Sequence, residues 1–354
     1  MVNVATIEAS TVRTLFGASI RHSVRDEVDR LGCARALVLS TPQQSDAAME
    51  MAETLGTYAA GVFCRAAMHT PVEVTEEAVA HAKDVQADCI VSIGGGSTTG
   101  LGKAIAYRTD LPQIVIPTTY AGSEATPILG QTENAIKTTL TDPKVLPEVI
   151  LYDPELVVSL PVEMTVTSAL NAMAHAAEAL YATDRTAETD ALAMEGLRAM
   201  VDGLPGVVAS PEDLAAREAT LRGAWACGTV LGQVGMALHH KLCHTLGGTF
   251  DLPHAQTHAV VLPHAIAYNA RAAATELQPI CDLLGGANAG AALHKFAQRM
   301  NAPLALRDFG LQESDLDRAA ELATTKPYPN PQPVTRDDIR ALLQAAWAGY
   351  APHH

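Results

Sequence analysis

CIVSIGGGSTTGLGKAIAYR, residues 89–108, decides the fold. Cys89 to Ile93 are apolar or small without a break, as expected of a strand buried on both faces. Gly94, Gly95 and Gly96 follow at once, and the residues after them have helical composition and carry Lys103. Strand, glycine turn and helix in this order form half of a βαβ unit, and glycines at the junction let backbone N–H groups close on a diphosphate at the helix N-terminus. The dinucleotide fingerprint G-x-G-x-x-G is incomplete, because Thr99 stands where its third glycine belongs. The loop also comes later than the first strand, where that fingerprint normally lies.

The same alternation runs through the first 150 residues: RALVLS precedes DAAMEMAETLG, AGVFC precedes EEAVAHAKDV, and QIVIPTT follows the quoted helix. It predicts a doubly wound, mostly parallel sheet with helices on both faces. IPTTYAGSE, Ile116 to Glu124, ends the next strand in another small, hydroxyl-rich turn, so two adjacent strand ends make a crevice of the kind that binds ligands. After VILYDPELVVSLP the strands give way to Ala-rich helical patterns. The reading is an α/β dinucleotide-binding domain over residues 1–155 and an all-α substrate domain over 156–354. TTKPYPNPQPVTR reads as an ordered loop feeding the last helix.

With 354 residues and 48% hydrophobic side chains, the chain has material for two aliphatic cores. A net charge of −15 without a Lys/Arg run argues against nucleic acid or an anionic membrane as partner. Six scattered cysteines without a CxxC pair read as buried free thiols in a reducing compartment. No stretch approaches the roughly 20 apolar residues of a membrane span, and the N-terminus lacks a secretory pattern, so cytoplasm is the expected location.

HHKLCHTLGGTFDLPH carries His240, His244 and His254, and NAMAHAAEALYA carries Asn171 and His175. Asn171 and His175 are spaced i, i+4, as are His240 and His244, so each pair shares a helical face. His254 is expected beyond a Gly-Gly turn, and His239 is expected to point about 100° away from His240. Imidazoles with one carboxylate suit iron or zinc, whereas the amide of Asn171 is a poor ligand.

GGGS, PTT-x-GSE, DPEL, the N-x-x-x-H helix, H-x-x-x-H-x-LGG and the following PH come in an order that resembles the iron-containing alcohol dehydrogenase family over nearly the whole chain. IPTTYAGSE, NAMAHAAEALYA and ALHHKLCHTLGGTFDLPHAQTHAVVLPH are most similar to its maleylacetate-reducing branch. The resemblance implies the dehydroquinate synthase-like fold and places the family's metal-ligand positions on Asn171, His175, His240 and His254. Asn171 departs from the usual aspartate, so no metal is expected. Gly100 departs from an aspartate that the family's alcohol dehydrogenases usually carry.

The implied reaction is hydride transfer from NADH or NADPH to the C=C bond of maleylacetate, a small dianion, giving 3-oxoadipate in bacterial degradation of aromatic compounds. Gly94, Gly95, Gly96 and Ser97 would contact the diphosphate, Thr118, Thr119 and Ser123 the nicotinamide half, and Lys137 the ribose region. Ser40 opens a turn, STPQ, that holds no acid to repel a 2′-phosphate, so NADPH should be tolerated. His175, His240, Lys241, His244 and His254 would bind the carboxylates or the enolate oxygen and supply the proton, with Asn171 beside them. Tyr328 and Lys326, in the Pro-rich loop, are weaker candidates for a second carboxylate clamp. The family suggests a homodimer, formed through a strand around Thr14 to Phe16. Three alternatives stay open: a metal-dependent alcohol or glycerol dehydrogenase, a lyase with no net NADH consumption, and a non-catalytic nucleotide-binding protein.

Overall fold

The computed structural model describes residues 5–7, 12–134 and 136–352, without the side chains of 5–7 and 137. The chain forms two compact units, Met1–Leu160 with Glu212–Leu221, and Pro161–Pro211 with Arg222–His354. The division falls at Leu160 instead of residue 155, and a later segment joins the first unit. Arg217 supplies the reason. Its wholly buried guanidinium donates to the Tyr120 hydroxyl at 3.2 Å and to the carbonyls of Val158 and Leu160 at 3.2 and 3.3 Å. A buried cation with these acceptors ties its own segment to the end of the first unit.

In the first unit the strands are β1 (Ala5–Ile7), β2 (Arg13–Phe16), β3 (Ala36–Leu39), β4 (Ala59–Phe63), β5 (Cys89–Gly94), β6 (Gln113–Pro117), β7 (Ile128–Glu133), β8 (Ile136–Thr141) and β9 (Val149–Tyr152). Seven of them form one sheet in the order β1-β2-β9-β6-β5-β3-β4, parallel throughout except for β1 with β2. Helices α1 (Val24–Arg30) and α2 (Ser45–Leu55) share one apolar cluster with Val38, Val91, Ile93 and Ile114. Helices α3 (Val72–Asp84) and α4 (Gly96–Thr109) share another with Leu37, Leu39 and Ile90. Burial on both faces is why β3 and β5 read as unbroken apolar runs.

The β7–β8 hairpin was not foreseen; it turns at Asn134, in the left-handed region at φ 50°, and stands apart from the main sheet. The strand from Thr14 to Phe16 pairs with β1 on one side and β9 on the other, so it has no open edge for a dimer contact. After β3 the chain passes outward to β4, then returns to β5 on the other side of β3. That reversal opens the crevice at the carboxyl ends of β3 and β5.

The second unit is helical. Its elements are α5 (Val162–Ala179), α6 (Ala187–Ala209), α7 (Leu214–Leu231, from Arg222 onward), α8 (Leu238–Phe250), α9 (His254–Asn269), α10 (Ala274–Leu284), α11 (Ala289–Arg299), α12 (Leu316–Thr324) and α13 (Arg336–Ala348). Helix α5 is buried at every residue from Thr165 to Ala179, so its small alanines let α6 and α9 approach closely around it. The Pro-rich segment between α12 and α13 is pinned as expected of an ordered loop: Asn269 and Asn330 exchange amide bonds of 2.9 and 2.7 Å, and Tyr268 donates to Pro333 O at 2.6 Å. No helix is long and apolar enough to cross a membrane among the described residues.

Helices α9 and α11 meet at Gly290, where an added Cβ would lie 2.4 Å from Pro263 O and 2.5 Å from the backbone nitrogen of Ala267. Gly248, in α8, has nothing within 4 Å of that position. Gly290→Ala should therefore destabilise the protein by about 1–3 kcal/mol, whereas Gly248→Ala should stabilise it by about 0.5 kcal/mol or more. Urea midpoints of the two variants would test this contrast.

Candidate active site

The glycine loop closes β5 and opens α4, and its neighbours leave no room for side chains at Gly94 and Gly95. A Cβ on Gly94 would lie 2.3 Å from Thr98 Oγ1 and 3.0 Å from Gln44 Oε1, and one on Gly95 would lie 2.8 Å from Thr119 Cγ2. Gln44 Nε2 donates to Thr118 Oγ1 at 2.9 Å, so the turn after β3 is joined to the end of β6. Ser123 Oγ and Thr98 Oγ1 are buried with no partner among the described residues. A cradle closed to side chains at two successive glycines, with hydroxyls set around a helix N-terminus, suits the diphosphate of a dinucleotide.

Ser40 does not present its side chain there; it is wholly buried and donates to Thr41 O at 3.0 Å. Gln44, later in the same turn, reaches the loop instead, and nothing in its residue type announced this. Lys137 lies in the β7–β8 hairpin, with its side chain outside the described part. At Gly100 a Cβ would lie 2.4 Å from Thr70 Oγ1. Thr70 and His69 both sit in the left-handed region, at φ 48° and 63°, and an aspartate at position 100 would have to displace the Thr70 hydroxyl.

Lys103 is a positioning residue that the sequence did not single out. Its buried ammonium donates to the carbonyls of Ser123 and Thr126 at 2.6 Å each and to Ile128 O at 3.1 Å, fixing the loop after β6. Burial pulls this lysine down to about 7, against the opposing pull of Glu124.

In the second unit, α5 carries Asn171, His175 and Glu178 on one face, α8 carries His239, His240, Cys243 and His244, and α9 carries His254 and His258. Gly247 and Gly248 lie inside α8, so no Gly-Gly turn separates His244 from His254. The chain reverses at Asp251, left-handed at φ 53°, followed by Leu252 and Pro253. His175, His239, His240 and His258 are buried, whereas His244 and His254 are exposed. The six rings form one group, with centroid separations from 4.3 Å for His254–His258 to 6.2 Å for His240–His244.

The His239 and His240 ring centroids lie only 5.2 Å apart, and His239 Nε2 meets His258 Nδ1, from α9, at 3.0 Å. It belongs to the cluster after all, and His258 joins it unforeseen. Burial, reinforced by the neighbouring imidazoles, pushes both rings well below the usual histidine range.

Glu178, also unforeseen, is the carboxylate behind the cluster. It is wholly buried and accepts from His240 Nδ1 at 2.6 Å and from the backbone N–H groups of Ala237, His239 and His240 at 3.1, 2.7 and 3.4 Å. Burial alone would raise its pKa; the His240 bond and charge and the backbone donors outweigh it and hold the carboxyl below its ordinary range. The spacing His175-x-x-Glu178 was the available signal. His175 Nδ1 in turn meets His240 Nε2 at 2.9 Å.

Asn171 is buried, and its Oδ1 has no partner among the described residues. Lys241 is half-buried and makes no ion pair among the described residues. The Tyr328 hydroxyl, expected at the surface, is buried without a partner among the described residues, and burial with the nearby Glu178 charge raises its pKa. Lys326 is exposed, as expected.

His175 Nδ1 and His240 Nε2 lie 2.9 Å apart and bond to each other, instead of both facing one ion. With an amide at position 171, these residues as placed do not fit the ion. His239, Cys243 and His258 do have ligand atoms within 4.8 Å of one another. Their outer nitrogens, His239 Nδ1 and His258 Nε2, are buried without partners among the described residues, although a ligating histidine normally donates from its far nitrogen. Burial also holds the Cys243 thiol well above its usual range. This trio is therefore a hydrogen-bonded group of neutral side chains.

A glycine-loop sheet followed by a helical unit with histidines at metal-ligand positions defines the iron-containing alcohol dehydrogenases, and the chain belongs to that family. Residues 11–154 match the model for the iron-containing alcohol dehydrogenase, and residues 165–347 match that for the Fe-containing alcohol dehydrogenase family, C-terminal. Within it the chain is similar to proteins named maleylacetate reductase. It is 61% identical over 340 residues to that of Rhizobium sp. (strain MTP-10005), covering 96% of this chain and 97% of the relative. It is 51% identical over 352 residues to that of Burkholderia cepacia, covering 99% and 100%. The crystal structure of maleylacetate reductase from Agrobacterium tumefaciens superposes with a TM-score of 0.95 at 59% identity, over 99% of this chain and 100% of that one.

Because His239 and His258 titrate well below 6.5 when folded, the unfolded chain binds more protons than the folded one once the pH drops below that value. Their contribution to stability is full above pH 6.5 and declines below it, by up to about 1.4 kcal/mol per pH unit for each ring. Urea midpoints should fall steeply between pH 6.5 and 5. A midpoint constant across that range would contradict the burial of neutral rings.

Proposed function

We propose that this chain reduces the conjugated C=C bond of maleylacetate to give 3-oxoadipate, with NADH or NADPH as reductant and no metal, within the bacterial breakdown of aromatic compounds. The observation that carries the reading is the imidazole cluster with an amide at the family's aspartate position, in a chain similar along its length to proteins of that name. The substrate is a dianion. A carboxylate at position 171 would repel it, whereas the amide of Asn171 does not.

The bound dinucleotide supplies the hydride; Gly94, Gly95, Gly96 and Ser97 would hold its diphosphate, Thr118, Thr119 and Ser123 its nicotinamide half, and Lys137 its ribose. Hydride adds to the alkene carbon beyond the one next to the ketone, and the electron pair moves to the ketone oxygen as an enolate. A proton then adds to the carbon beside the carbonyl. In place of a Lewis acid, N–H donors from the histidines and Lys241 stabilise that oxygen. His244 and His254, being exposed, suit the carboxylates, and Asn171 and Tyr328 offer buried polar atoms with no partners among the described residues. The amide and the His175–His240 bond favour this reading over a metal-dependent alcohol or glycerol dehydrogenase. A homodimer in the cytoplasm is part of the same proposal.

Protein treated with a strong chelator and dialysed should oxidise NADH with maleylacetate at its original rate. Loss of activity restored by iron or zinc would return the chain to the metal-dependent dehydrogenases. NADPH should support turnover comparable to NADH, since no acid follows β3; complete rejection of NADPH would contradict the assignment of that turn. His254→Ala should lower kcat/KM about 10-fold or more if the ring binds a substrate carboxylate.

A further inference from the structure

We propose that Lys103 is a positioning residue for the cofactor: it locks the loop after β6 onto the helix that begins at the glycine turn, and so sets where Ser123 stands against the nicotinamide half of the bound dinucleotide. The inference rests on the functional reading above, which assigns the dinucleotide to this turn, and deepens it.

The loop is fastened at three places. At its start, Thr118 N donates to Gly94 O at 3.0 Å and Gln44 Nε2 donates to Thr118 Oγ1 at 2.9 Å, which holds it to the sheet. In its middle, the Tyr152 hydroxyl on β9 donates to Glu124 Oε1 at 2.7 Å. Towards its end, Lys103 Nζ lies 2.6 Å from Ser123 O, 2.6 Å from Thr126 O, 3.0 Å from Thr126 Oγ1 and 3.1 Å from Ile128 O. The Thr126 hydroxyl spends its own hydrogen on Ser123 O at 3.0 Å, so it receives from the lysine. Every partner of Nζ is therefore an acceptor, and an ammonium has three hydrogens to give them. The third is shared between Thr126 Oγ1 and Ile128 O.

This grip joins two parts of one cofactor site. Lys103 lies about two turns after Gly96 on the same face of α4. Long side chains on a helix lean back towards its N-terminus, which is how an ammonium from the second turn reaches a loop lying over the first. Ser123 Oγ lies 3.8 Å from where a Cβ on Gly96 would stand; the hydroxyl is buried and has no partner among the described residues. The helix that offers its first N–H groups to the diphosphate thus also carries the side chain that holds Ser123 above them. A buried cation is a costly way to fill space, and what this one obtains is a fixed place for that serine.

The test titrates NADH and ADP against wild type and full-length Lys103→Met, which keeps a long side chain and removes its donors. ADP carries the adenine half and the diphosphate but no nicotinamide. Lys103→Met should bind ADP within about threefold of wild type and NADH at least about 10-fold more weakly, as expected for lost bonds from a charged donor. Equal weakening of both ligands, the mark of a merely structural lysine, would overturn the proposal, as would unchanged NADH affinity. If methionine prevents folding, Thr126→Val decides, because it keeps the shape and removes one oxygen that Lys103 holds. NADH binding weakened about threefold or more with ADP unaffected supports the proposal; equal loss or no loss overturns it. A wild type that binds neither nucleotide removes the dinucleotide reading and this proposal with it. A wild type that binds NADH without reducing maleylacetate removes the substrate assignment and leaves the comparison of variants intact.

Discussion

The helical unit is organised by one interaction, the capping of helix α8 by a carboxylate from α5. The first N–H groups of any α-helix have no partner within it, and a buried helix start must find acceptors elsewhere. Ala237 and His239 find them in Glu178, whose charge also lies at the positive end of the helix dipole. That single bond set fixes where α8 begins and how it is rotated about its axis. Rotation in turn decides which histidines face α5 and which face α9. The chemistry of the site therefore follows from a backbone requirement.

The electrostatic picture changes accordingly. Removing the acid at position 171 does not leave a basin of imidazoles without an anion, because Glu178 sits beneath His240. The anion is wholly buried and meets His240 at Nδ1, so its charge is spent on that ring and on the start of α8. Four buried rings cannot all carry charge in so small a volume, and His239 and His258 are correspondingly held neutral.

The sheet was legible because β3, β5 and β6 are buried on both faces and each is followed by a helix with its own apolar stripe. Asn171 with His175 and His240 with His244 were legible because residues four apart share a face of one helix. What crosses between helices was not. A turn of about 100° from His240 says only which way His239 leaves its helix, and whether that side meets solvent or another ring depends on α9, whose His258 comes 19 residues later. Glu178 stood three residues after His175 and still looked like an ordinary helix glutamate, since its partners are mostly backbone atoms and backbone leaves no pattern in sequence. Lys103 was obscured in the same way, by bonds to carbonyls. The segment Glu212–Leu221 joined the first unit through Arg217, a contact that no local periodicity encodes.

Gly100 and Thr70 carry a consequence for how this branch can change. The room that an acidic side chain would use at position 100 is filled by a threonine hydroxyl, on a segment with two successive residues of unusual backbone conformation. An acid at position 100 is therefore admitted only once that hydroxyl has turned aside or been lost, so the order in which the two positions change matters: the threonine yields first, and the acid follows.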